Sequence, residues 1–409
     1  MAKGKGASES ASAANANRIS GMTKRFRQSW IGRNWHTVVI LAAILFMAFF
    51  VRSYFGWSTA MDNGYLVSGG SDSYYHERVI DAVMGTGEHL VFDPMLDYPD
   101  GMRNVRPPLY DWSVAVTAQV LSGLGMDAED AMGFTLVLST AFWGTLTVIP
   151  VYLMGRAAFG NKAGLLAAFL FALMPGHIQR SVLSNADHDA MVLFFVVWCF
   201  YFLLVALMGV KGERWVSSWK DRNSVMSGLR TYLRENQRSL LCAALSGVSL
   251  AAVAMIWKGF TYVLVIILAY LLVQILINRF RNVDSMGLTI TVGTALGVGL
   301  LVAAPTYLSL NFWSNWFNIP VYLALTGLIV GVIFTVTRDY PWTLVLPSFI
   351  IMASVVLLAL SVVNPGLFDA IITGQGYFVQ SKLYSTISEA QAPDFSNLVL
   401  SFGMVTFWL

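Results

Sequence analysis

Two aspartates one residue apart, Asp187 and Asp189, stand immediately before a long apolar run of the sequence. In extended backbone, side chains at positions i and i+2 point to the same side, so both carboxylates can hold one divalent cation, which prefers oxygen ligands. The alternative is structural, because either carboxylate can cap the helix that follows. One cap needs only one carboxylate, so the pair favours a metal site. His177 and His188 are additional candidate ligands, although a lone histidine is more often a hydrogen-bonded structural residue.

A third carboxylate follows a glycine-rich turn, in which two glycines precede Ser71 and Asp72. Glycine supplies the backbone freedom that such a turn needs, and the turn presents Asp72 shortly after the first apolar run. Asp72 is therefore a candidate metal ligand. The alternative is that Asp72 or Ser71 caps a helix over 73–84. His76, in the same stretch, is an additional candidate.

The stretch 364–396 is a third polar region, and it contains Gly374 and Gly376. A segment of about thirty residues without a span is typical of a mobile external loop that orders over a substrate. Glu389 is the only glutamate in this stretch. It is a candidate site residue, and a solvated loop residue is the alternative.

The composition indicates which elements must position these residues. Of the 409 residues, 56% are hydrophobic and only 12% are charged, and the mean hydropathy is +0.62, whereas about a quarter of the residues of a soluble protein are charged. The net charge of +3, with no basic block, excludes nucleic acid as a partner. Apolar stretches of about 20 residues predict an all-α polytopic membrane protein with nine spans and the start of a tenth near Leu398. The nine predicted spans cover 36–55, 131–155, 163–179, 190–209, 239–257, 259–278, 286–305, 317–336 and 341–363.

The charges of the loops indicate which loops share a side of the membrane, because Lys and Arg concentrate on the cytoplasmic side. If the apolar stretch 109–126 is an interfacial or re-entrant helix that does not cross, 19 of the 26 Lys and Arg residues lie inside and 17 of the 23 acidic residues lie outside. This topology predicts a disordered, basic, cytoplasmic tail over 1–35 and a transmembrane domain over 36–409. The external loops are then 56–130, 178–190 and 364–396.

Three short motifs occur in order along the chain and fall in these external loops: Gly70-Ser71-Asp72, Asp187-His188-Asp189 and Thr386-Ile387-Ser388-Glu389. In this order and at these positions relative to the spans, they resemble the archaeal catalytic subunit of the oligosaccharyltransferase family. The resemblance implies a GT-C type glycosyltransferase transmembrane domain with large external loops. The chain ends within an apolar run, so the family's soluble C-terminal domain, which carries a WWDYG motif, is expected to lie outside it.

The resemblance also implies roles for single residues. Asp72, Asp187 and Asp189 correspond to the ligands of a Mn²⁺ or Mg²⁺ ion, and Glu389 and Asp72 to the residues that act on the acceptor. Arg180, seven residues before Asp187, corresponds to an arginine near the acceptor carboxylates, with a snorkelling interface arginine as the alternative. The additional candidates are His188, His76 and Arg106.

The implied reaction transfers an oligosaccharide from a polyprenyl- or dolichol-linked (di)phosphate to the asparagine amide of N-x-S/T sequons, with inversion at the sugar. Its partners are the lipid-linked donor, the acceptor polypeptide and membrane lipids, at the extracytoplasmic face of the plasma membrane. Arg103 and Arg106 could attract the diphosphate. Two alternatives stay open: a polyprenyl-phosphate-dependent glycosyltransferase with a different acceptor, and a transporter, which would place its acidic residues at the bilayer midplane.

Overall fold

The structure of the protein is a computed structural model that describes residues 34–62, 64–210, 213–363, 365–373 and 394–403. The predicted tail up to residue 33 lies outside the described residues, and so does Glu389 with the motif that contains it. Within the described residues the chain is almost entirely helical, and it forms two compact units.

The first unit comprises Met1–Arg78 and Val114–Phe194. A 3₁₀ turn, Tyr54–Gly56, follows its first helix, and three of its helices continue across the boundary into the second unit. The helices that lie wholly or partly in it are α1 Trp35–Ser53, α2 Trp57–Met61, α3 Ser71–Thr86, α4 Leu109–Gly123, α5 Ala128–Leu146, α6 Val148–Phe159, α7 Asn161–Ala172, α8 Pro175–Ser181 and α9 Asp189–Met208.

The second unit comprises Val79–Ser113 and Phe195–Leu409. It contains a two-residue antiparallel pair of strands, β1 Phe92–Asp93 and β2 Met102–Arg103, and two short turns, Lys258–Phe260 and Trp313–Phe317. Its further helices are α10 Arg222–Glu235, α11 Gln237–Ile256, α12 Thr261–Phe280, α13 Met286–Ser309, α14 Asn318–Val336, α15 Trp342–Val363, α16 Pro365–Thr373 and α17 Phe395–Phe402.

Eight helical segments of the described chain are long and apolar enough to cross a membrane. Each of them overlaps one of the nine predicted spans. The eight segments are Trp35–Met61, Ala128–Phe159, Asp189–Met208, Gln237–Ile256, Lys258–Phe280, Met286–Ser309, Asn318–Val336 and Trp342–Val363.

The predicted span 163–179 is not one continuous helix. Helix α7 ends at Ala172 after 12 residues, which is about 18 Å of helix, and α8 begins at Pro175. Met174 takes extended backbone (φ −64°, ψ 118°), because a following proline disfavours helical backbone. The predicted span therefore consists of two helices with a break between them, and its crossing stays a prediction.

Two other apolar stretches form short helices. The stretch predicted not to cross, 109–126, forms α4, a single helix of 15 residues that is not among the eight segments, and its placement at the membrane surface stays a prediction. The predicted tenth span begins with α17, which is described for eight residues after its capping residue Asp394.

Helices α6 and α7 form a tight hairpin that turns at Gly160, where φ is +90°. A Cβ at Gly164 would lie 2.7 Å from the Tyr152 carbonyl oxygen, so the two backbones can approach only because residue 164 is glycine. The same hairpin packs on α1 through Ala48 and Ala172, which are both fully buried. This packing returns the chain to the C-terminal end of α1. The aspartate loop, residues 182–188, begins close to that end.

Small residues also allow close packing of α11 on α13 in the second unit. A Cβ at Gly247 would lie 2.5 Å from the Ala295 carbonyl oxygen and 2.9 Å from the Gly299 nitrogen. Both neighbours are backbone atoms of a helix, which cannot move aside locally. Glycine at such positions is typical of helix pairs packed within a membrane.

We expect Gly247→Ala to destabilise the second unit by roughly 1–3 kcal/mol, because the added methyl group overpacks this interface. Thermal unfolding of the purified protein in detergent measures the effect. Gly297→Ala is the matched control in α13, since a Cβ there meets nothing within 4 Å. Equal unfolding temperatures for the two variants would contradict the proposed role of Gly247.

Candidate functional site

The loop 182–188, between α8 and α9, is held by backbone hydrogen bonds to two apolar helices. The Leu183 N–H donates to the Arg52 carbonyl at the end of α1 (2.8 Å), and the Ser184 N–H donates to the Val137 carbonyl in α5 (2.9 Å). Both acceptors are main-chain groups of packed helices. The position of the loop is therefore set by the packing of α1 and α5.

The glycine turn before α3 packs directly on this loop. The Ser68 N–H donates to the Ser184 carbonyl (2.7 Å), and the Ser73 hydroxyl donates to the Asn185 carbonyl. A Cβ at Gly69 would lie 1.9 Å from the same Asn185 oxygen, so the approach requires glycine. The turn thus brings the first residues of α3 against the loop.

Two residues of the loop have left-handed backbone although neither is glycine. The φ angles are +68° at Ser184 and +49° at Ala186, and Ala186 is fully buried. Such conformations cost roughly 1–3 kcal/mol each and persist where the surroundings enforce them, often at functional sites. The hydrogen bonds between the loop and α1, α5 and the glycine turn hold the backbone in these conformations.

A carboxylate and two imidazoles meet where α3 and the loop come together. The Asp187 Oδ1 atom lies 2.7 Å from Nδ1 of His188 and 3.5 Å from Nε2 of His76, and the two imidazole nitrogens are 3.2 Å apart. His76 and Asp187 are buried, and His188 is partly exposed. All three ligand atoms lie within 4.8 Å of one another, which is close enough for a single ion.

The two histidines keep the Asp187 carboxylate charged. Burial by itself raises the pKa of Asp187, but hydrogen bonds from the His188 and His76 side chains outweigh burial and hold this pKa well below its usual range. Asp187 is therefore a buried carboxylate that stays ionised at neutral pH.

The other two predicted carboxylates belong to the same region. Asp72 stands in the first turn of α3, and Asp189 is the first residue of α9. Asp189 lies within electrostatic range of both Asp187 and Asp72, and its Oδ2 atom is 3.4 Å from Nη1 of Arg180. The closest cluster is therefore His76, Asp187 and His188. Asp189 stands beside it with Arg180, and Asp72 acts on Asp189 through its charge.

The donor atoms at this site fit a divalent cation. Asp189 is repelled by the like charges of Asp187 and Asp72. The Arg180 side chain beside it is about half exposed, so solvent screens its charge. Carboxylate oxygens suit Mg²⁺ and Mn²⁺, and imidazole nitrogens suit transition metals. The residues present can therefore hold such an ion.

Three other residues singled out from the sequence have different surroundings. His177, a candidate ligand with a hydrogen-bonded structural role as its alternative, is bound to Arg52, which agrees with the structural role. Arg106 lies in the second unit, where its N–H donates to Asn104 Oδ1 (3.0 Å). Arg103 donates to the Leu310 carbonyl in the same unit.

Arg52 is the residue that the sequence analysis missed. It is 2% exposed, and its guanidinium donates to Ser181 Oγ (2.9 Å), to the carbonyls of Ala48 (2.9 Å) and Ala172 (3.0 Å), and to Nδ1 of His177 (2.7 Å). A salt-bridge partner is absent among the described residues. An arginine inside an apolar run is itself a signal, because charges there are costly and are usually functional.

This network fixes the break between α7 and α8. Arginine can only donate, so Nδ1 of His177 must accept and carries no proton. The Ala172 carbonyl, left without a helical partner at the end of α7, is satisfied in the same way. A Cβ at Gly144 would lie 2.4 Å from the Ser181 Cβ and 3.1 Å from the Arg52 Nε, so glycine at 144 leaves room for the network.

Comparison with known proteins agrees with this geometry. Residues 36–409 match the family described as oligosaccharyl transferase STT3, N-terminal. The chain belongs to this oligosaccharyltransferase family. The predicted fold class, an all-α polytopic membrane domain of the GT-C type, is confirmed by the match and by similar solved structures.

Two curated archaeal relatives show how much of such a protein the chain covers. It is 25% identical over 303 residues to the dolichyl-phosphooligosaccharide-protein glycotransferase 3 of Archaeoglobus fulgidus. The aligned region covers 72% of the chain and 32% of the relative. It is 29% identical over 187 residues to the dolichyl-monophosphooligosaccharide–protein glycotransferase AglB of Haloferax volcanii. This aligned region covers 45% of the chain and 18% of the relative. The chain spans about a third or less of the length of these relatives.

Two solved structures from Archaeoglobus fulgidus share the fold. The oligosaccharyltransferase AglB in complex with an inhibitory peptide and a dolichol-phosphate has a TM-score of 0.72 at 20% identity, over 93% of this chain and 44% of that one. An oligosaccharyltransferase complex with Zn and sulfate has a TM-score of 0.60 at 20% identity, over 90% of this chain and 41% of that one.

We expect Arg52→Lys to destabilise the first unit by roughly 2–4 kcal/mol, because one ammonium cannot serve the four acceptors and leaves buried groups unpaired. Thermal unfolding in detergent and protease cleavage within 173–188 measure the change. Arg230→Lys, at an exposed position of α10, is the matched control. Wild-type stability of Arg52→Lys would show that the network does not hold the loop.

Proposed function

We propose that this chain is the transmembrane catalytic part of an enzyme that transfers an oligosaccharide from a polyprenyl- or dolichol-linked (di)phosphate to the asparagine amide of N-x-S/T sequons. The observation that carries the proposal is the cluster of His76, Asp187 and His188, with Asp189 in electrostatic range of both Asp187 and Asp72. Family membership supports the reaction class. The AglB complex with a peptide and a dolichol-phosphate supports a polypeptide acceptor and a lipid-linked donor.

Asp72, Asp187 and Asp189 would hold a Mn²⁺ or Mg²⁺ ion, with His76 and His188 as additional donors. When bound, the ion would act as a Lewis acid and a template that neutralises the (di)phosphate leaving group. The similar structure with Zn supports a divalent metal. The two imidazole nitrogens favour Mn²⁺ over Mg²⁺, because Mg²⁺ binds almost entirely through oxygen.

The carboxylates would also act on the acceptor. An amide nitrogen is a weak nucleophile because its lone pair is delocalised. Asp72 and Glu389 would accept hydrogen bonds from its N–H groups and so weaken that conjugation. Arg180, 3.4 Å from Asp189, would keep that carboxylate in position. Attack on the anomeric carbon opposite the departing phosphate inverts the configuration of the sugar.

Basic residues of the second unit would attract the anionic donor. Lys258 Nζ lies 4.5 Å from the centre of the Trp316 ring and within electrostatic range of Arg106. The Arg103 guanidinium lies 5.0 Å from the centre of the Phe312 ring. Aromatic faces stabilise cations without cancelling their charge, so these groups stay available to a phosphate.

The distribution of charge supports a multi-pass protein of the plasma membrane with a cytoplasmic N-terminus. In that topology the aspartate loop and the glycine turn face the extracytoplasmic side. A lipid-linked donor and a secreted acceptor polypeptide would meet there.

We expect Asp72→Ala to lower transfer to a sequon peptide by roughly 100-fold or more, because even the loss of an outer-shell residue typically costs 10–100-fold. The assay uses full-length protein, lipid-linked oligosaccharide and added Mn²⁺. Asp81→Ala is the control, since Asp81 is exposed on the same helix α3. Undiminished transfer by Asp72→Ala would exclude the assignment. Equal transfer by the wild type to a peptide that lacks asparagine would favour a different acceptor.

Removal of the metal should abolish transfer reversibly. We expect a chelator to reduce wild-type transfer to background and added Mn²⁺ to restore it, with Mg²⁺ less effective because of the imidazole donors. His76→Phe should narrow the difference between Mn²⁺ and Mg²⁺. Transfer that persists in excess chelator would refute the metal site, whereas an unchanged metal preference of His76→Phe would refute only the role of His76.

A further inference from the structure

An apolar pocket with a volume of about 180 Å³ lies beneath helix α10, far along the chain from the aspartate motifs. Its walls come from the segment before α10, from α10 itself, and from α13 and α14. A pocket of this size is large enough to bind an apolar group, since an engineered apolar cavity of about 150 Å³ binds benzene. The lining residues used below are Val216, Trp219, Leu229, Val332, Thr335 and Val336.

The frame of this pocket is fixed, so the pocket cannot simply collapse. Asp221 caps α10 by accepting from the Asn223 N–H (3.0 Å). The buried Tyr232 hydroxyl donates to the Gly287 carbonyl (3.1 Å) and lies 3.1 Å from Thr291 Oγ1. These bonds hold α10 at the start of α13.

The pocket opens sideways, towards the surface of α14. Val332 is 51% exposed and Val336 is 37% exposed, although both line the pocket. Helix α10 also carries two exposed apolar residues seven positions apart, Met226 and Leu233. An amphipathic helix with such a strip is typical of the membrane interface, so an acyl chain has direct access to the opening.

A polar pocket adjoins the apolar one, and Thr335 lines both. Arg214, Arg279 and Arg338 lie around it. Arg338 is occupied, because it pairs with Asp284 and donates to a carbonyl beside the apolar pocket. The Arg214 side chain is 61% exposed and lies 3.4 Å from Asp339 Oδ1, an exposed ion pair that is worth little and can be exchanged for a phosphate. The polar pocket measures about 30 Å³, the share of one water molecule, so a phosphate would remain at its mouth.

An indole N–H at the apolar pocket has no hydrogen-bond partner among the described residues. Trp219 lines the pocket, and its Nε1 atom is shielded from solvent. Buried tryptophan N–H groups usually find an acceptor. This donor therefore indicates a ligand that carries oxygen next to an apolar chain.

We propose that this pocket binds one anionic phospholipid. Part of one acyl chain occupies the apolar pocket, an ester oxygen accepts from the Trp219 N–H, and the phosphate lies against Arg214. Basic residues in 213–238 outnumber acidic ones by six to three, which attracts an anionic rather than a neutral headgroup. The loops concerned are those that the positive-inside rule assigns to the cytoplasmic side. The site is independent of the proposed transferase activity.

The test uses the purified full chain in detergent with phosphatidylglycerol that carries a photoreactive diazirine in one acyl chain. We expect crosslinks to peptides of α10, α13 and α14, located by mass spectrometry. Arg214→Gln should lower capture about fivefold, and Val332→Trp should block the opening and lower it at least as much. The matched controls are Arg222→Gln, an exposed arginine outside both pockets, and Leu325→Trp, which is exposed on α14 away from the pocket.

Each outcome decides the proposal. Capture that falls with Arg214→Gln and Val332→Trp, but not with the two controls, supports it. Equal capture of the phosphatidylcholine analogue, or equal loss in a control and its test variant, overturns it. Excess inorganic phosphate should leave capture within about twofold of its starting value, because the acyl chain contributes most of the binding. Full displacement by phosphate would show a free-anion site instead.

Discussion

A buried guanidinium beside a break in a helix is the interaction on which the first unit depends. The Arg52 guanidinium donates to the open carbonyl at the end of α7 and to the His177 and Ser181 side chains. Its backbone carbonyl accepts from the Leu183 N–H. Within an apolar bundle these groups have no water to bond, so leaving them unpaired costs several kcal/mol. The same arginine thus stabilises the broken helix and sets the start of the aspartate loop.

The candidate site collects groups that repel one another, and the surrounding hydrogen bonds hold them in place. Asp187 stays charged between two imidazoles although it is buried, and Asp72 and Asp189 add negative charge close by. Left-handed backbone at Ser184 and Ala186 adds a further cost that only rigid neighbours can sustain. A divalent cation would relieve the repulsion between the carboxylates. The strained backbone of the loop would then serve to hold the ligands of that ion.

Eight of the nine predicted spans each overlap one long apolar helical segment, and the ninth is divided into two helices. Average hydropathy over 163–179 is high enough for a span, but it does not register that Pro175 separates two helices. The partner of His177 could not be predicted for a related reason. Its environment depends on Arg52, 125 positions earlier in the chain, and no local pattern reveals that the imidazole has an arginine as its partner.

The sequence by itself determined the membrane class, the approximate spans and the choice of three aspartates as candidate metal ligands, because apolar runs and short motifs are local properties. Only the tertiary structure decided which groups meet. His76 reaches Asp187 because Gly69 lets the turn before α3 approach the Asn185 carbonyl, and Arg52 reaches Ser181 across 129 positions because Gly144 leaves it room. Such contacts arise from the close approach of distant backbones, which depends on the packing of whole helices.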